Sequence, residues 1–240
     1  MAHTSEAARD EAGRPHLAGA AGGPARAAGG STAHGATHAQ AHGAADDLPK
    51  DHTQAILETT KQVAALLKEA GCPFALAGSV AAHAHGVPAV LQHDTDFCIR
   101  REDVDEVVET LGDGGIEIVA APEDWLVKAR AGGEQIDLIF ELSHRQVTDE
   151  LLERATVLPV DSVRMPVLAP YDLLSSRLAA LTEQHCDFGP VLTIARTLRE
   201  RIDWGMVRAE HRDEPFAEAF LCLLERLGVI EPFVPRKGAT

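Results

Sequence analysis

The order of short apolar segments after residue 70 constrains the fold more than any other feature of the sequence. Residues 74–77 form an apolar run that ends at Gly78-Ser79, where glycine permits a sharp change of chain direction. Residues 80–85 then have the character of a short helix, and a second apolar strand follows at 90–99. A strand, a tight turn, a helix and a further strand predict an α+β domain built around a sheet.

The segments on either side of this unit extend the predicted sheet and its helices. Residues 53–70 and 102–111 carry apolar side chains at helical spacing and predict covering helices. Gly132-Gly133 separates two apolar arms and predicts a hairpin, so the sheet contains antiparallel as well as parallel strands. Beyond Ser143 the apolar period is helical as far as Leu227, which predicts a C-terminal helical part packed on the mixed sheet.

The first fifty residues differ in composition from everything that follows. They are rich in Ala, Gly and His and almost lack large aliphatic and aromatic residues, so we expect residues 1–50 to be a disordered tail. His34, His38 and His42 recur every four residues there, a spacing that composition-biased tails produce by chance. The predicted division is therefore a tail at 1–50, a core domain at 51–143 and a helical part at 144–232.

Charge and cysteine content exclude several classes of protein. The formal net charge of −15 opposes sequence-blind binding of nucleic acid, because such binding depends on neutralising phosphates, and leaves only a local basic groove for RNA. The four cysteines stand far apart without a CxxC pair, so neither a disulfide framework nor a zinc ribbon is predicted. Because there is no secretory signal and no apolar run long enough for a membrane helix, we expect a cytoplasmic protein without a membrane partner.

Three acidic residues are predicted to converge on one side of the sheet. Side chains alternate along a strand, so Asp94 and Asp96 project to one face while Thr95 projects to the other. Asp137 interrupts an otherwise apolar strand in the second arm of the hairpin, where an acid needs a partner. Clustered carboxylates repel one another unless a divalent cation lies between them, and hard oxygen ligands favour Mg²⁺ or Mn²⁺. The alternative is that these carboxylates bind no cation and lie at a solvated strand end.

The hairpin and the first turn supply candidate contacts for phosphate. With Gly132-Gly133 as the turn, counting back along both arms places Lys128 opposite Asp137. Lys128 is then either a plain cross-strand salt bridge or a phosphate contact, and the sequence leaves both open. Gly78 allows close approach of backbone to phosphate and Ser79 adds a hydroxyl, although Gly-Ser alone is a common turn.

The motifs Gly78-Ser79, His93-Asp94-Thr-Asp96 and Ile136-Asp137-Leu together resemble the DNA polymerase β-like nucleotidyltransferase superfamily, in particular its small prokaryotic members. The resemblance implies transfer of a nucleoside monophosphate from an NTP to an acceptor hydroxyl, with release of pyrophosphate. It also implies a two-metal site held by Asp94, Asp96 and Asp137, with Gly78 and Ser79 at the phosphates. Arg177 stands where relatives often keep a lysine, and we include Arg177 and Lys128 among the expected nucleotide-binding residues.

The acceptor is not specified by these motifs. The resemblance allows tRNA or another RNA, a protein, or a small molecule, and it allows a cognate antitoxin-type partner. One alternative is a catalytically inactive nucleotide-binding or regulatory module of the same fold, since Ala89-Val90-Leu91 replaces a basic residue that many relatives carry. A second alternative, a DxD sugar transferase, requires a longer nucleotide-sugar-binding sheet than the segment before Asp94 supplies.

Overall fold

The computed structural model describes residues 52–88, 91 and 94–232. The predicted tail at 1–50, with His34, His38 and His42, lies outside the described residues. His93 and the altered positions 89 and 90 do as well.

The secondary structure follows the order predicted for residues 53–143 and adds elements beyond it. The helices are α1 His52–Ala70, α2 Gly78–Ala84, α3 Val104–Asp113, α4 Asp149–Glu153, α5 Pro170–Ala179, α6 Phe188–Leu198, α7 Trp204–Glu210 and α8 Pro215–Arg226. The strands are β1 Phe74–Leu76, β2 Asp94–Ile99, β3 Glu117–Val119, β4 Leu126–Ala131, β5 Glu134–Ile139, β6 Glu141–Leu142, β7 Arg145–Gln146, β8 Thr156–Val160 and β9 Val163–Val167. Short 3-10 turns at Arg101–Asp103 and Arg199–Arg201 precede α3 and α7.

A mixed seven-stranded sheet organises the described residues, with the strand order β3-β4-β5-β2-β1-β9-β8. β2 pairs with β5 in parallel and with β1 antiparallel, and β1 pairs with β9 in parallel. β4 and β5 form the hairpin that Gly132-Gly133 predicts. The predicted fold class is therefore confirmed: a mixed sheet with covering helices, followed by C-terminal helices.

One part of the secondary structure differs from the helical period expected after Ser143. Residues 156–167 form the hairpin β8–β9, and β9 adds to the main sheet beside β1. Pro159 and Pro166 lie inside these strands, and proline cannot donate a hydrogen bond to a neighbouring strand, so their presence argues against strands in a sequence. β8 is an edge strand, where Pro159 is tolerated.

The two faces of the sheet differ in the side chains that they present and in the helices that cover them. The hydroxyl of Thr95, which is fully buried, lies 3.1 Å from the hydroxyl of Thr60 in α1. α1 therefore covers the face that Thr95 occupies, and strand alternation leaves Asp94 and Asp96 on the opposite face. α2 lies against β2 and α5, and Leu174 of α5 and Phe220 of α8 are fully buried. Among the helices described, none is long and apolar enough to cross a membrane.

Candidate active site

Two neighbouring parallel strands bring three carboxylates together. Asp96 on β2 pairs with Asp137 on β5, and Asp94 lies two residues before Asp96 on the same face of β2. One carboxylate oxygen from each of the three residues lies within 4.8 Å of the others. The three acids that the sequence places on one face therefore meet in the folded chain at a separation suited to shared cation binding.

Burial and mutual repulsion make it unfavourable for all three carboxylates of this cluster to be ionised. Burial, with the negative charge of Asp94 beside it, raises the pKa of Asp96 from 3.8 to about 7. Burial is also the main cause that raises the pKa of Asp137, although the positive charge of Lys128 opposes that rise. Among the atoms of the described residues, Asp137 Oδ1 is buried and has no hydrogen-bond partner. Three oxygen donors, mutual repulsion and an unpartnered buried oxygen fit a divalent cation.

Lys128 lies where the hairpin register predicts. It pairs with Asp137 across β4 and β5, and its ammonium nitrogen lies 3.4 Å from Asp137 Oδ2. The side chains of Lys128 and Asp137 are 31% and 14% exposed, so the pair is partly shielded from solvent. The ion pair uses Oδ2 and leaves Asp137 Oδ1 for another ligand.

Gly78 and Ser79 begin α2 directly beside Asp96. The N–H of Ala77 donates to the carbonyl of Asp96 at 2.8 Å, which holds the turn against β2. Gly78 has φ +63°, and a Cβ added there would collide with the Asp96 carboxylate. Only glycine provides both the left-handed backbone and the space. Within the described part of the chain, Ser79 Oγ is buried and has no hydrogen-bond partner.

A cavity of about 400 Å³ opens beside Asp96. Its lining joins the turn before α2, the ends of β4 and β5, the β6–β7 hairpin and α5: Ala77, Gly78, Asp96, Trp125, Ile139, Glu141, Leu142, Ser143, His144, Ser176, Arg177, Ala179, Ala180 and Thr182. Arg177, exposed on α5, thus shares the cavity with Gly78 and Asp96. Four of the predicted site residues are not part of this lining: Asp94, Asp137, Lys128 and Ser79. Asp94 and Asp137 belong to the carboxylate cluster, and Lys128 is the ion-pair partner of Asp137.

Sequence reasoning missed several residues near the site. Glu123, whose negative charge contributes to the raised pKa of Asp137, has a buried Oε2 that accepts no hydrogen bond from the described residues. Trp125 and His144 line the cavity from segments without a helical or strand period. Trp125 was predicted only as the first residue of a strand, and His144 lies in a polar stretch after Phe140, so neither sequence signal specifies a site.

The mixed sheet, the carboxylate triad and the Gly78 turn are consistent with a nucleotidyltransferase, the class that the sequence motifs predict. The family described as uncharacterised nucleotidyltransferase matches residues 35–234. The chain belongs to this family, which confirms the predicted enzyme class, a nucleotidyltransferase. A comparison with curated proteins finds no match.

Solved structures with a similar arrangement include enzymes with different acceptors. The antibiotic-resistance factor ANT(2'')-Ia is 12% identical with a TM-score of 0.47, over 74% of this chain and 95% of that protein. The lincosamide antibiotic adenylyltransferase LnuA is 11% identical with a TM-score of 0.42, over 57% and 94% of the two chains. A tRNA nucleotidyltransferase in complex with primer tRNA is 13% identical with a TM-score of 0.33, over 68% and 51%.

Proposed function

We propose that this protein transfers a nucleoside monophosphate from an NTP to an acceptor hydroxyl and releases pyrophosphate, in a reaction that depends on Mg²⁺ or Mn²⁺. The observation that carries the proposal is the convergence of Asp94, Asp96 and Asp137 beside the glycine turn at Gly78. A carboxylate cluster of this kind binds divalent cations, and the turn lets a phosphate approach the backbone closely.

The three carboxylates are the proposed metal ligands. Asp94 and Asp96 would hold two cations and Asp137 would complete the site on the acceptor's side. Bound there, the cations would lower the pKa of the acceptor hydroxyl and offset the negative charge that develops during phosphoryl transfer. Asp137 Oδ1, buried and unpartnered among the described residues, is the oxygen that the Lys128 ion pair leaves for this role.

The other residues of the site would bind and orient the donor. Gly78 and the hydroxyl of Ser79 would contact the triphosphate, and Arg177 would bring positive charge to the same cavity. The acceptor oxygen forms its bond to the α-phosphorus as the bond to the pyrophosphate oxygen breaks. Lys128, held against Asp137, would fix the orientation of that carboxylate during the reaction.

The experiment that tests this function follows label from an NTP into product. The full chain is incubated with each α-labelled NTP, with Mg²⁺ or with chelator, and with total RNA, small hydroxylated compounds or the protein alone. Pyrophosphate release and the destination of the label are measured together. The matched control is Asp96→Asn, which removes one proposed metal ligand with almost no change in side-chain size.

The expected result is Mg²⁺-dependent pyrophosphate release with label in one acceptor class, abolished in Asp96→Asn. NTP binding without pyrophosphate release under every condition would instead support a catalytically inactive nucleotide-binding module. Transfer that proceeds unchanged in Asp96→Asn would refute the proposed role of the triad. Because the acceptor classes are tested separately, the same measurement also identifies the substrate.

A further inference from the structure

The cavity beside Asp96 changes character away from the carboxylate cluster. Near Asp96 it is lined by Gly78 and Arg177, groups suited to phosphate. The rest of its lining is largely apolar or aromatic and includes Trp125, Ile139, Leu142, His144 and Ala180. Ile139 lies two residues beyond Asp137 on β5, which corresponds to about 7 Å along the strand. The apolar part of the lining therefore begins within two residues of the carboxylate cluster on β5.

The backbone of Trp125 is held at this wall, and the residue is 39% exposed. Its backbone carbonyl accepts hydrogen bonds from the N–H groups of Phe140 and Glu141, both at 3.2 Å. These two bonds tie the backbone of Trp125 to the start of the β6–β7 hairpin, and its side chain lines the cavity. An exposed tryptophan in a cavity offers a flat apolar surface for a ligand ring.

His144 is presented by an unusual turn. Ser143 and His144 join β6 to β7 with φ values of 50° and 65°, in the left-handed region that residues other than glycine rarely occupy. The hydroxyl of Ser143 donates to the carbonyl of Ser176 in α5 at 2.8 Å, and Arg145 forms an ion pair with Glu210 in α7. Contacts to two helices thus hold a strained turn whose imidazole borders the cavity, and such strain is often found at functional sites.

We propose that Trp125 and His144 form the nucleobase subsite, in which the planar ring of the NTP packs against the indole and the imidazole. The inference rests on the proposed nucleotidyl transfer and specifies how the donor is oriented. Arg177 and Gly78 receive the triphosphate in the same cavity, so one NTP spans its polar and its aromatic parts.

The position of the third carboxylate assigns this cavity to the donor and not to the acceptor. Of the three clustered acids, only Asp96 belongs to the cavity lining, while Asp137 and its partner Lys128 lie outside that lining. In-line displacement places the attacking and leaving oxygens on opposite sides of the α-phosphorus. The side of the cluster formed by Asp137 and Glu123 is then left for the acceptor.

The test compares an NTP with a ligand that has the same phosphates and no ring. Binding of ATP and of inorganic tripolyphosphate is measured by calorimetry with Mg²⁺ in wild type, Trp125→Leu and His144→Gly. Loss of one stacking partner is expected to weaken ATP binding about tenfold in either variant, while tripolyphosphate binding stays within about twofold. Trp204→Phe is the matched control, because the Trp204 indole donates to the carbonyl of Arg199 and does not line the cavity.

A fluorescence measurement on a chain with an unchanged cavity does not depend on how Trp125→Leu and His144→Gly fold. The chain has two tryptophans, so Trp204→Phe leaves Trp125 as its single indole reporter. ATP is expected to quench the emission of this variant, and tripolyphosphate at equal occupancy is not.

The outcomes separate this inference from the proposed function. Selective loss of ATP affinity together with ATP-specific quenching supports the subsite. Equal weakening of both ligands, unchanged ATP affinity, or absence of quenching overturns the subsite and leaves nucleotidyl transfer standing. If wild type binds none of the four NTPs with Mg²⁺, the proposed function fails and the subsite fails with it.

Discussion

Replacing Asp96 by Asn tests the physical basis of the site without any knowledge of the acceptor. In the metal-free protein, the pKa of Asp96 rises from 3.8 to about 7, because the carboxylate is buried beside Asp94. The raised value means that folding favours the protonated acid. This contribution to stability is fully present below pH 3.8 and is lost as the pH rises through about 7. Asparagine is neutral at every pH, so Asp96→Asn keeps the stability of an uncharged side chain at this position when the pH rises.

The size of the effect follows from the same values. At 1.36 kcal/mol per pKa unit, the rise from 3.8 to about 7 sets a ceiling on the order of 4 kcal/mol above pH 8. Asp96 keeps some solvent exposure, which screens its repulsion, so we expect about half of that ceiling, about 2 kcal/mol. For a chain of this length the gain corresponds to a Tm about 4–8 °C above wild type.

The assay is thermal melting in chelator between pH 4 and pH 8.5. Asp96→Asn is expected to melt close to wild type at pH 4 and well above it at pH 8.5. The exposed Asp113→Asn controls for loss of one negative charge. Saturating Mg²⁺ should stabilise wild type, by about 2.7 kcal/mol at a hundred times Kd, and leave the variant unchanged. A Tm difference that does not vary with pH would refute the argument.

Three further predictions concern the glycine turn, the N-terminal segment and His85. Gly78→Ala is expected to lower the free energy of unfolding by about 1–3 kcal/mol and to weaken NTP binding. Gly86→Ala is the control, because Gly86 also has a positive φ but a Cβ there would meet no atom within 4 Å. If urea unfolding shows an equal loss of stability in both variants, the collision with Asp96 does not contribute. A chain beginning at Asp51 should keep the Tm of the full chain, and a drop of more than a few degrees would contradict the compositional argument. Burial lowers the pKa of His85 below 6.5, and its ring nitrogens contact the Leu168 carbonyl and Arg201 at 2.7 and 2.8 Å. The contribution of neutral His85 to the free energy of unfolding is present above pH 6.5 and falls as the pH drops. His85→Gln should therefore lose less stability than wild type between pH 7.5 and 5.5 in urea titrations. Equal losses in both proteins would argue against this role of His85.

Local determinants allow part of the carboxylate cluster to be predicted from the sequence. Strand alternation places Asp94 and Asp96 on one face, and the two-glycine turn fixes the register that sets Lys128 opposite Asp137. The pairing of β2 with β5, which brings Asp137 to Asp96, is a long-range property that came from the resemblance and not from periodicity.

The aromatic side of the cavity could not be predicted for the opposite reason. Trp125 precedes a strand and His144 lies in a turn without glycine or asparagine, so neither carries a periodic signal. Both are positioned by contacts distant in sequence, such as the bond from Ser143 to Ser176 across 33 residues. Strand β9 was not predicted either, because Pro166 argues against a strand in the sequence. Pairing with β1 stabilises this strand in the folded chain.

The net charge of the chain and the chemistry of its site can be reconciled through the cation. A protein with a formal net charge of −15 repels a triphosphate, and the carboxylate cluster adds to that repulsion at the point of binding. Among the described residues of the cavity lining, Arg177 is the one arginine or lysine, and Lys128 is paired with Asp137. Divalent cations would reverse the sign of the local field, and their binding would at the same time relieve the repulsion that raises the pKa of Asp96. Nucleotide and metal should therefore bind with positive coupling, so that each raises the affinity of the other by the same factor.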